Sequence, residues 1–436
     1  MFRVALYLAV AVSLFVVPQL ARSNEHPYVE DQVLVRYLSS MSIESRARVA
    51  WDVGTQPVKR NFGVPNLELL LILDGRSVEE TVASLNQTPG IMHASPNYIV
   101  DIHAGIFPPR PKPKPKPDPN SNFSDPLFYK SYGIPLIGSR RSWDEFTIGS
   151  RDVLVAVIDT GIDFNHEDLA GNVWTNPHEI ADNGIDDDRN GYVDDVHGWN
   201  FLNNSNNIFD DNRHGTHVAG TIGAIAGNRV GTIGVSPKLS LMACKFLDNG
   251  GRGNIAGAIE AIEYAVAQGA KVLNNSWGGT MFSQPLLDKI RQIEQLGAVF
   301  VAAAGNENIN IDREPRYPAA YDVDNIISVA STDKYDEKSP FSNYGGISVD
   351  LGAPGSDIFS TLPYNHYGEI SGTSMATPHV AGAAALVLAY KPTLTHHELK
   401  NLIFNTVDRV SSMQGITATG GRVNVYNALA AGMLLF

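Results

Sequence analysis

Three apolar runs place the strongest constraint on the fold of this chain. They are VLVAVID at 153–159, KVLNNS at 271–276 and AVFVAAAGN at 298–306. Their apolar residues do not alternate with polar ones, which is typical of strands covered on both faces. Between the first two runs, apolar residues recur at helical spacing: Ile255, Ile259, Ile262 and Val266. Strand, helix and strand in this order predict an α/β fold, a doubly wound and mainly parallel sheet with helices on both faces.

A Pro-Lys repeat, PPRPKPKPKPDP at 108–119, divides the chain. Proline at every second position removes backbone donors and favours an extended spacer, so 104–120 is predicted to be a solvated linker. A basic patch that binds an acidic surface is the alternative. The linker separates a domain at 121–436 from a module at 24–103. Two strand-like runs and the capping pair Ser77 and Glu80 predict a small α+β fold for this module.

The N-terminus resembles a secretory signal peptide. Arg3 precedes an apolar run, and Ala21-Arg22-Ser23 resembles a cleavage site, so 1–23 is predicted to be removed on export to an extracellular or periplasmic location. An uncleaved anchor is the alternative, although the run is short for a bilayer span. No other segment has this length, so we expect no stable membrane anchor.

Composition excludes two further classes. A net charge of −13 argues against a nucleic-acid partner and suits a protein that holds cations. The single cysteine, Cys244, rules out an intramolecular disulfide. Because it lies in an apolar stretch, we interpret it as a small buried hydrophobe and not as a nucleophile.

Three polar residues lie where chemistry is expected. Asp159 ends the first apolar run, at the sheet edge where open α/β folds place ligands. His214 begins HGTHVAG, and Ser374 follows Gly372 at the start of an apolar helix. An imidazole that accepts a serine proton and a carboxylate that orients the imidazole make a nucleophile. Each residue alone has another interpretation: a strand-end cap, a surface histidine and a helix cap.

His214 and His217 lie three residues apart, so both rings would share one helix face. A metal clamp is therefore an alternative to a catalytic base. The glutamate of a His-Glu-x-x-His zinc motif is absent, which disfavours the clamp.

VAVIDTGID, HGTHVAGT and GTSMATPHVAG resemble the three signature segments of subtilisin-like serine proteases, a family whose triad has the chain order Asp, His, Ser. The resemblance covers nearly all of 121–436. It implies that Asp159 orients, that His214 is the general acid and base, and that Ser374 is the nucleophile. Asn306 would donate to the oxyanion together with the backbone N–H of Ser374. The implied protein is a monomeric, secreted serine endopeptidase that acts through an acyl-enzyme on polypeptide substrates.

The resemblance also implies a substrate cleft that binds peptide as an added strand. Ser276, Trp277 and Gly278 would form one edge, and 249–253, with Gly250 and Gly251, the other; Gly305 would also contact substrate. The alternatives are a core aromatic at 277 and a flexible turn at 249–253. Arg316 would lie near the base of the primary side-chain pocket, or else at the surface.

The acidic segment 182–200 follows the D-x-D-x-N-G spacing of calcium loops. The ligands predicted from this spacing are Asp186, Asp188, Asn190 and Asp194, with Asp195 or Asp187 replacing the glutamate of an EF-hand. His197 at the twelfth position rules out an EF-hand proper. A solvated acidic loop is the alternative. The family resemblance implies a second calcium site at Asp125, Asp168 and Asn228, although Asp168 could instead cap a helix.

The module at 24–103 resembles the family's propeptide, which assists folding and occupies the cleft as an intramolecular inhibitor. A zymogen is therefore expected, with its maturation cut near 100–107 or close to Asn120. A catalytically silent peptide-binding protein on the same fold is the alternative to a protease. An esterase would need G-x-S-x-G and the order Ser, Asp, His. The segment 372–376 lacks the second glycine, and the chain order here is Asp, His, Ser, so an esterase is excluded.

Overall fold

The structure is a computed structural model that describes residues 27–60, 62–102 and 124–433. The predicted signal peptide at 1–23 and the predicted linker at 104–120 lie outside this range. Within it, no helix is long and apolar enough to cross a membrane.

The N-terminal module is an antiparallel sheet with two helices packed on one face. Its elements are β1 (Tyr28–Tyr37), α1 (Ile43–Asp52), β2 (Thr55–Lys59), β3 (Leu67–Ile72), α2 (Val78–Asn86) and β4 (Ile91–Asp101), in the sheet order β2-β3-β1-β4. The two predicted strands coincide with β1 and β3, and the capping box of Ser77 and Glu80 begins α2 as expected. The module therefore has its own apolar core, which includes Val33, Val35 and Leu85.

A nine-stranded sheet organises the C-terminal domain. The nine strands are β5 (Gly149–Asp159), β6 (Gly198–Asn200), β7 (Lys238–Lys245), β9 (Val272–Asn275), β10 (Val299–Ala303), β11 (Ile326–Thr332), β12 (Leu351–Pro354), β15 (Asp408–Arg409) and β16 (Gly421–Arg422). Three further strands lie outside this sheet: β8 (Arg252–Asn254), β13 (Ile358–Leu362) and β14 (His366–Ile370). The sheet order is β15-β16-β12-β11-β10-β9-β5-β7-β6, and only the β15–β16 pair is antiparallel. The predicted doubly wound, mainly parallel sheet is confirmed.

Helices cover both faces of this sheet. They are α3 (Gly133–Leu136), α4 (Ser139–Glu145), α5 (His214–Gly223), α6 (Ile255–Ala267), α7 (Gln284–Gln295), α8 (Thr373–Tyr390), α9 (His396–Asn405) and α10 (Val425–Gly432). One apolar core lies under α6 and α7, and the other lies under α5, α8, α9 and α10. Because β5 pairs with β7 on one side and with β9 on the other, the order in which strands are added to the sheet reverses beside β5. Asp159 ends this strand, at the edge where such folds form crevices.

Candidate active site

The end of β5 and the start of α5 bring Asp159 and His214 together. The His214 Nδ1 atom lies 2.7 Å from Asp159 Oδ1, and the two side chains are 2% and 0% exposed. The backbone N–H of Thr160 donates to the same carboxylate oxygen over 2.7 Å. A carboxylate at Nδ1 leaves Nε2 as the ring atom that can accept a proton.

Ser374 lies in the first turn of α8 and is held against the end of β9. Its hydroxyl donates to the carbonyl of Ser276 over 3.0 Å, and the Ser276 hydroxyl donates to the Ser374 carbonyl over 2.9 Å. His214 Nε2 is buried without a hydrogen-bond partner among the described residues. The hydrogen bond between Asp159 and His214 is therefore formed, whereas the Ser374 hydroxyl is not hydrogen-bonded to His214. In unliganded enzymes this second bond is often long and tightens when substrate binds.

Asn306 follows β10 and contacts the start of α8. Its Oδ1 accepts from the backbone N–H of Thr373 over 2.8 Å and from the Thr373 hydroxyl over 3.0 Å. A Cβ atom placed on Gly372 would lie 3.4 Å from Asn306 Nδ2, so the amide donor is on the side of the chain that leads into Ser374. Gly305 has a positive φ of 101°, and its N–H donates to Thr373 Oγ1. Gly305 therefore forms the turn between β10 and Asn306, and its contact with substrate stays a prediction.

Strand β4 of the N-terminal module lies between the two predicted edges of the cleft. The backbones of Asp101 and Gly278 exchange two hydrogen bonds of 3.0 Å, and the N–H of Ile102 donates to the carbonyl of Gly251 over 3.0 Å. Strand β4 also pairs antiparallel with β8. A Cβ atom on Gly251 would lie 2.4 Å from Ile102 Cγ1, so this glycine permits the close approach. A peptide strand is thus bound as an extension of both edges.

Two of the predicted cleft residues contribute less directly. Trp277 is fully buried and its ring packs at 5.0 Å against Phe246, so its side chain is a core aromatic and only its backbone belongs to the cleft edge. Gly250 closes the turn by donating its N–H to Asp248 over 2.9 Å.

Arg316 is turned toward the catalytic side of the domain. Its side chain is 15% exposed, and its Nε lies 3.6 Å from Glu307, which follows Asn306. The next residue, Tyr317, pairs with Gly279 beside the cleft edge. The arginine therefore lies between the cleft edge at 276–278 and the loop that carries Asn306, and not at an open surface.

His217 is not part of a metal clamp in this structure. Its Nε2 lies 2.9 Å from the carbonyl of Ile358, and burial lowers the pKa of its ring to about 3. The cluster of possible ligands found in the described part of the chain lies elsewhere and contains no histidine. His217 is therefore a buried core residue whose ring bonds to β13 and not within its own helix.

The carboxylates of the acidic segment, together with Glu179 just before it, fall into two groups. Both oxygens of Asp186 accept backbone N–H groups, from Asn190 and Gly191, and both oxygens of Asp194 accept those of Asn183 and Gly184. In contrast, Glu179, Asp188 and Asp195 each direct an oxygen into a common space in which these atoms lie within 4.8 Å of one another. Asp188 and Asp195 were among the predicted ligands, whereas Glu179 was missed because it precedes the recognisable spacing.

This cluster is only partly neutralised by its surroundings. The Asn190 side-chain amide donates to Asp188 and Asp195, and Asn176 donates to both as well. One oxygen of Glu179 is buried without a partner. Burial, which removes water from the charged form, raises the pKa of Glu179 and of Asp195. Converging carboxylates with raised pKa values are the donor set that a hard cation would satisfy.

The second predicted calcium site also gathers around one loop. Asp168 accepts from the Asn228 side chain over 2.7 Å and from the backbone of Thr232 over 2.8 Å. Asp125 accepts from the backbone of Gly227 with one oxygen, while its other oxygen is buried without a partner. Burial raises the pKa of Asp168 to about 7. The structure thus brings Asp125, Asp168 and Asn228 to the loop at 227–232.

Two family descriptions match this sequence. Residues 150–422 match Peptidase_S8, the subtilase family, and residues 16–97 match the fervidolysin N-terminal prodomain. The matched ranges correspond to the C-terminal domain and to most of the N-terminal module.

Curated relatives extend over much or all of the chain. Thermitase of Thermoactinomyces vulgaris is 40% identical and covers 70% of this chain and 98% of its own length. The thermophilic serine proteinase of Bacillus sp. (strain AK1) is 34% identical, with 98% of both chains covered. Subtilisin-like protease 1 of Plasmodium berghei (strain Anka) is 34% identical, and this chain spans only 55% of its length.

A solved structure shows the same fold. Fervidolysin from Fervidobacterium pennivorans, described as a keratinolytic enzyme related to subtilisin, superposes with a TM-score of 0.72 at 24% identity. The match covers 92% of this chain and 61% of fervidolysin.

Proposed function

This chain belongs to the subtilase family of serine endopeptidases, and we propose that it hydrolyses peptide bonds with Ser374 as nucleophile, His214 as general acid and base, and Asp159 as the orienting carboxylate. The hydrogen bond of 2.7 Å between Asp159 and His214 is the observation that carries this proposal. It joins residues from two elements 55 positions apart in the sequence, at the sheet edge where ligands bind.

The proposed reaction begins when the Ser374 hydroxyl turns from the Ser276 carbonyl to His214 Nε2. The imidazole removes the proton as the serine oxygen attacks the substrate carbonyl, and Asp159 stabilises the resulting imidazolium. The Asn306 amide and the Ser374 backbone N–H would donate to the tetrahedral oxyanion. His214 then protonates the leaving amine, which gives an acyl-enzyme. Water, deprotonated by His214, attacks the acyl-enzyme, and the proton returns to Ser374 as the acid product leaves.

We propose that the N-terminal module is the inhibitory propeptide of a zymogen. Its last strand occupies the cleft through Asp101 and Ile102. The module also contacts α6 and α7: Asn97 accepts from the backbone N–H of Ala256 over 3.0 Å, and Arg36 and Lys59 pair with Asp288 and Glu260. Because β4 reaches the cleft edges at 101–102, we favour the predicted cut near 100–107 over one close to Asn120.

We propose that calcium binds where the carboxylates converge. Glu179, Asp188 and Asp195 would hold one ion, and Asp125, Asp168 and Asn228 a second. The buried, unpartnered oxygens of Glu179 and Asp125 and the raised pKa of Asp168 fit a bound cation. Asp186 and Asp194 would then shape the loop and not ligate. Calcium would supply positive charge that stabilises the folded loops and would take no part in the hydrolysis.

Peptide hydrolysis with and without a serine-directed inhibitor tests the proposal. The matured protein should cleave peptides in a library, lose this activity with the inhibitor, and lose it when Ser374 is replaced by alanine. Hydrolysis that persists in Ser374→Ala would contradict the nucleophile assignment. A wild-type protein that binds peptides without cleaving them would favour the silent binding protein instead. Appearance of the matured protein in culture medium or periplasm would test the predicted export.

A further inference from the structure

A second buried carboxylate, Asp210, lies between the two triad elements and takes no part in the mechanism above. Its residue is 1% exposed, and its oxygens accept four hydrogen bonds. Three come from the chain around His214: the backbone N–H groups of Asn212, Arg213 and Thr216, at 3.0, 2.9 and 2.8 Å. The fourth comes from the hydroxyl of Thr160, at 2.8 Å.

Thr160 makes this carboxylate a link between the strand and the helix. It follows Asp159 directly, and its N–H already donates to the Asp159 carboxylate. Its hydroxyl donates to Asp210 and accepts from the backbone N–H of Gly215 over 2.9 Å. The Thr160 hydroxyl thus joins the residue after Asp159 to Gly215, the residue after His214. Asp210 accepts the hydrogen bond of this hydroxyl and so fixes its orientation.

The backbone before His214 needs this support. Arg213 has a positive φ of 107°, a conformation that costs a side-chain-bearing residue free energy unless its surroundings fix it. Its N–H is one of the groups that donate to Asp210. Without an acceptor there, the turn could relax and carry the imidazole away from Asp159.

We propose that Asp210 is a positioning residue that, through Thr160, holds His214 in bonding register with Asp159. This inference rests on the proposed function, because it assigns Asp210 a role in the same reaction. Displacement of a catalytic group by about 1 Å costs roughly 10²-fold in rate. Substrate binding should change much less than kcat, because the cleft edges at 249–253 and 276–278 belong to other elements. The Asn212 side chain links this turn to the first edge by donating to the carbonyl of Asn249 over 2.8 Å.

The test compares Asp210→Asn with Asp211→Asn in the matured enzyme. Both variants remove one negative charge, but Asp211 is 53% exposed and pairs with Lys245. We expect Asp210→Asn to lower kcat about 10²-fold per titratable active-site serine with KM within about twofold, because its amide would face N–H donors. Asp211→Asn should stay within about threefold of wild type.

Thr160 supplies an independent pair of variants if Asp210→Asn does not fold. Thr160→Val removes the hydroxyl and should lower kcat about as much as Asp210→Asn, while Thr160→Ser restores the hydroxyl and should restore kcat. The double variant should be little worse than either single variant, since both break one link.

An Asp210→Asn enzyme with wild-type kcat, or a Thr160→Ser enzyme as impaired as Thr160→Val, would overturn the role of Asp210 while leaving the triad intact. Failure of the wild-type enzyme to hydrolyse peptides would instead refute the proposed function itself.

Discussion

Two regions of the molecule bury carboxylates: the junction between β5 and α5, with Asp159 and Asp210, and the acidic segment at 182–200. They differ in what surrounds the carboxylate oxygens. At the junction, Asp159 and Asp210 face N–H and O–H donors supplied by two separate elements. In the acidic segment, Asp188 and Asp195 direct oxygens toward each other and toward Glu179, which precedes the segment. Donors around a carboxylate compensate its negative charge, whereas carboxylates that converge leave part of their negative charge uncompensated. In the first region the chain itself supplies these donors, whereas the second region is suited to a cation.

Replacing His214 by alanine should have the largest effect of these variants, because it should abolish hydrolysis and leave calcium binding unchanged. We expect kcat to fall on the order of 10⁵- to 10⁶-fold, because the variant lacks the proposed acceptor of the serine proton. Calcium binding should not change, since His214 lies outside the acidic segment. Peptide hydrolysis and calorimetric calcium titration of the same preparation measure both quantities. Near-normal hydrolysis by His214→Ala would contradict the assigned base.

Acid should destabilise the C-terminal domain through His379, a buried histidine of α8. Burial lowers the pKa of His379 to about 4, while an unfolded histidine titrates near 6.5. The unfolded chain therefore binds more protons between these values, so this contribution to stability is complete above pH 6.5 and is lost as the pH falls toward 4. The loss amounts to about 3 kcal/mol.

Denaturant unfolding at saturating calcium between pH 7 and 4 would measure this loss. His379→Gln should flatten the pH dependence relative to wild type, and the exposed His397→Gln should not. An unchanged slope in His379→Gln would show that other groups control acid unfolding.

Glu179→Gln should weaken calcium binding by the acidic segment about tenfold, because it removes one of three converging charges. Asp182→Asn, at an exposed position in the same segment, removes a charge outside the cluster and is the matched control. Calcium titration and the shift in melting temperature on chelation both report the effect. Equal affinities for the two variants would indicate a merely solvated acidic loop.

The sequence predicted the elements of this fold and its chemical motifs well, because apolar runs and motif spacing are local. It did not reveal Asp210 or Glu179. Their roles depend on which donors or carboxylates meet them after loop closure, and spacing carries no information about that. The sequence also left open whether Trp277 and Arg316 point into the cleft, because packing decides the direction of such side chains. The Trp277 ring packs against Phe246, and the Arg316 guanidinium pairs with Glu307.

Covalent labelling of the active-site serine tests the central claim most directly. The matured enzyme, treated with a serine-directed phosphonate and digested, should carry one adduct, located by mass spectrometry on Ser374. The adduct should be lost in His214→Ala and Ser374→Ala, because in the proposed mechanism the Ser374 hydroxyl becomes a nucleophile only with His214 as its base. An adduct on another serine, or undiminished labelling of Ser374 in His214→Ala, would contradict this account.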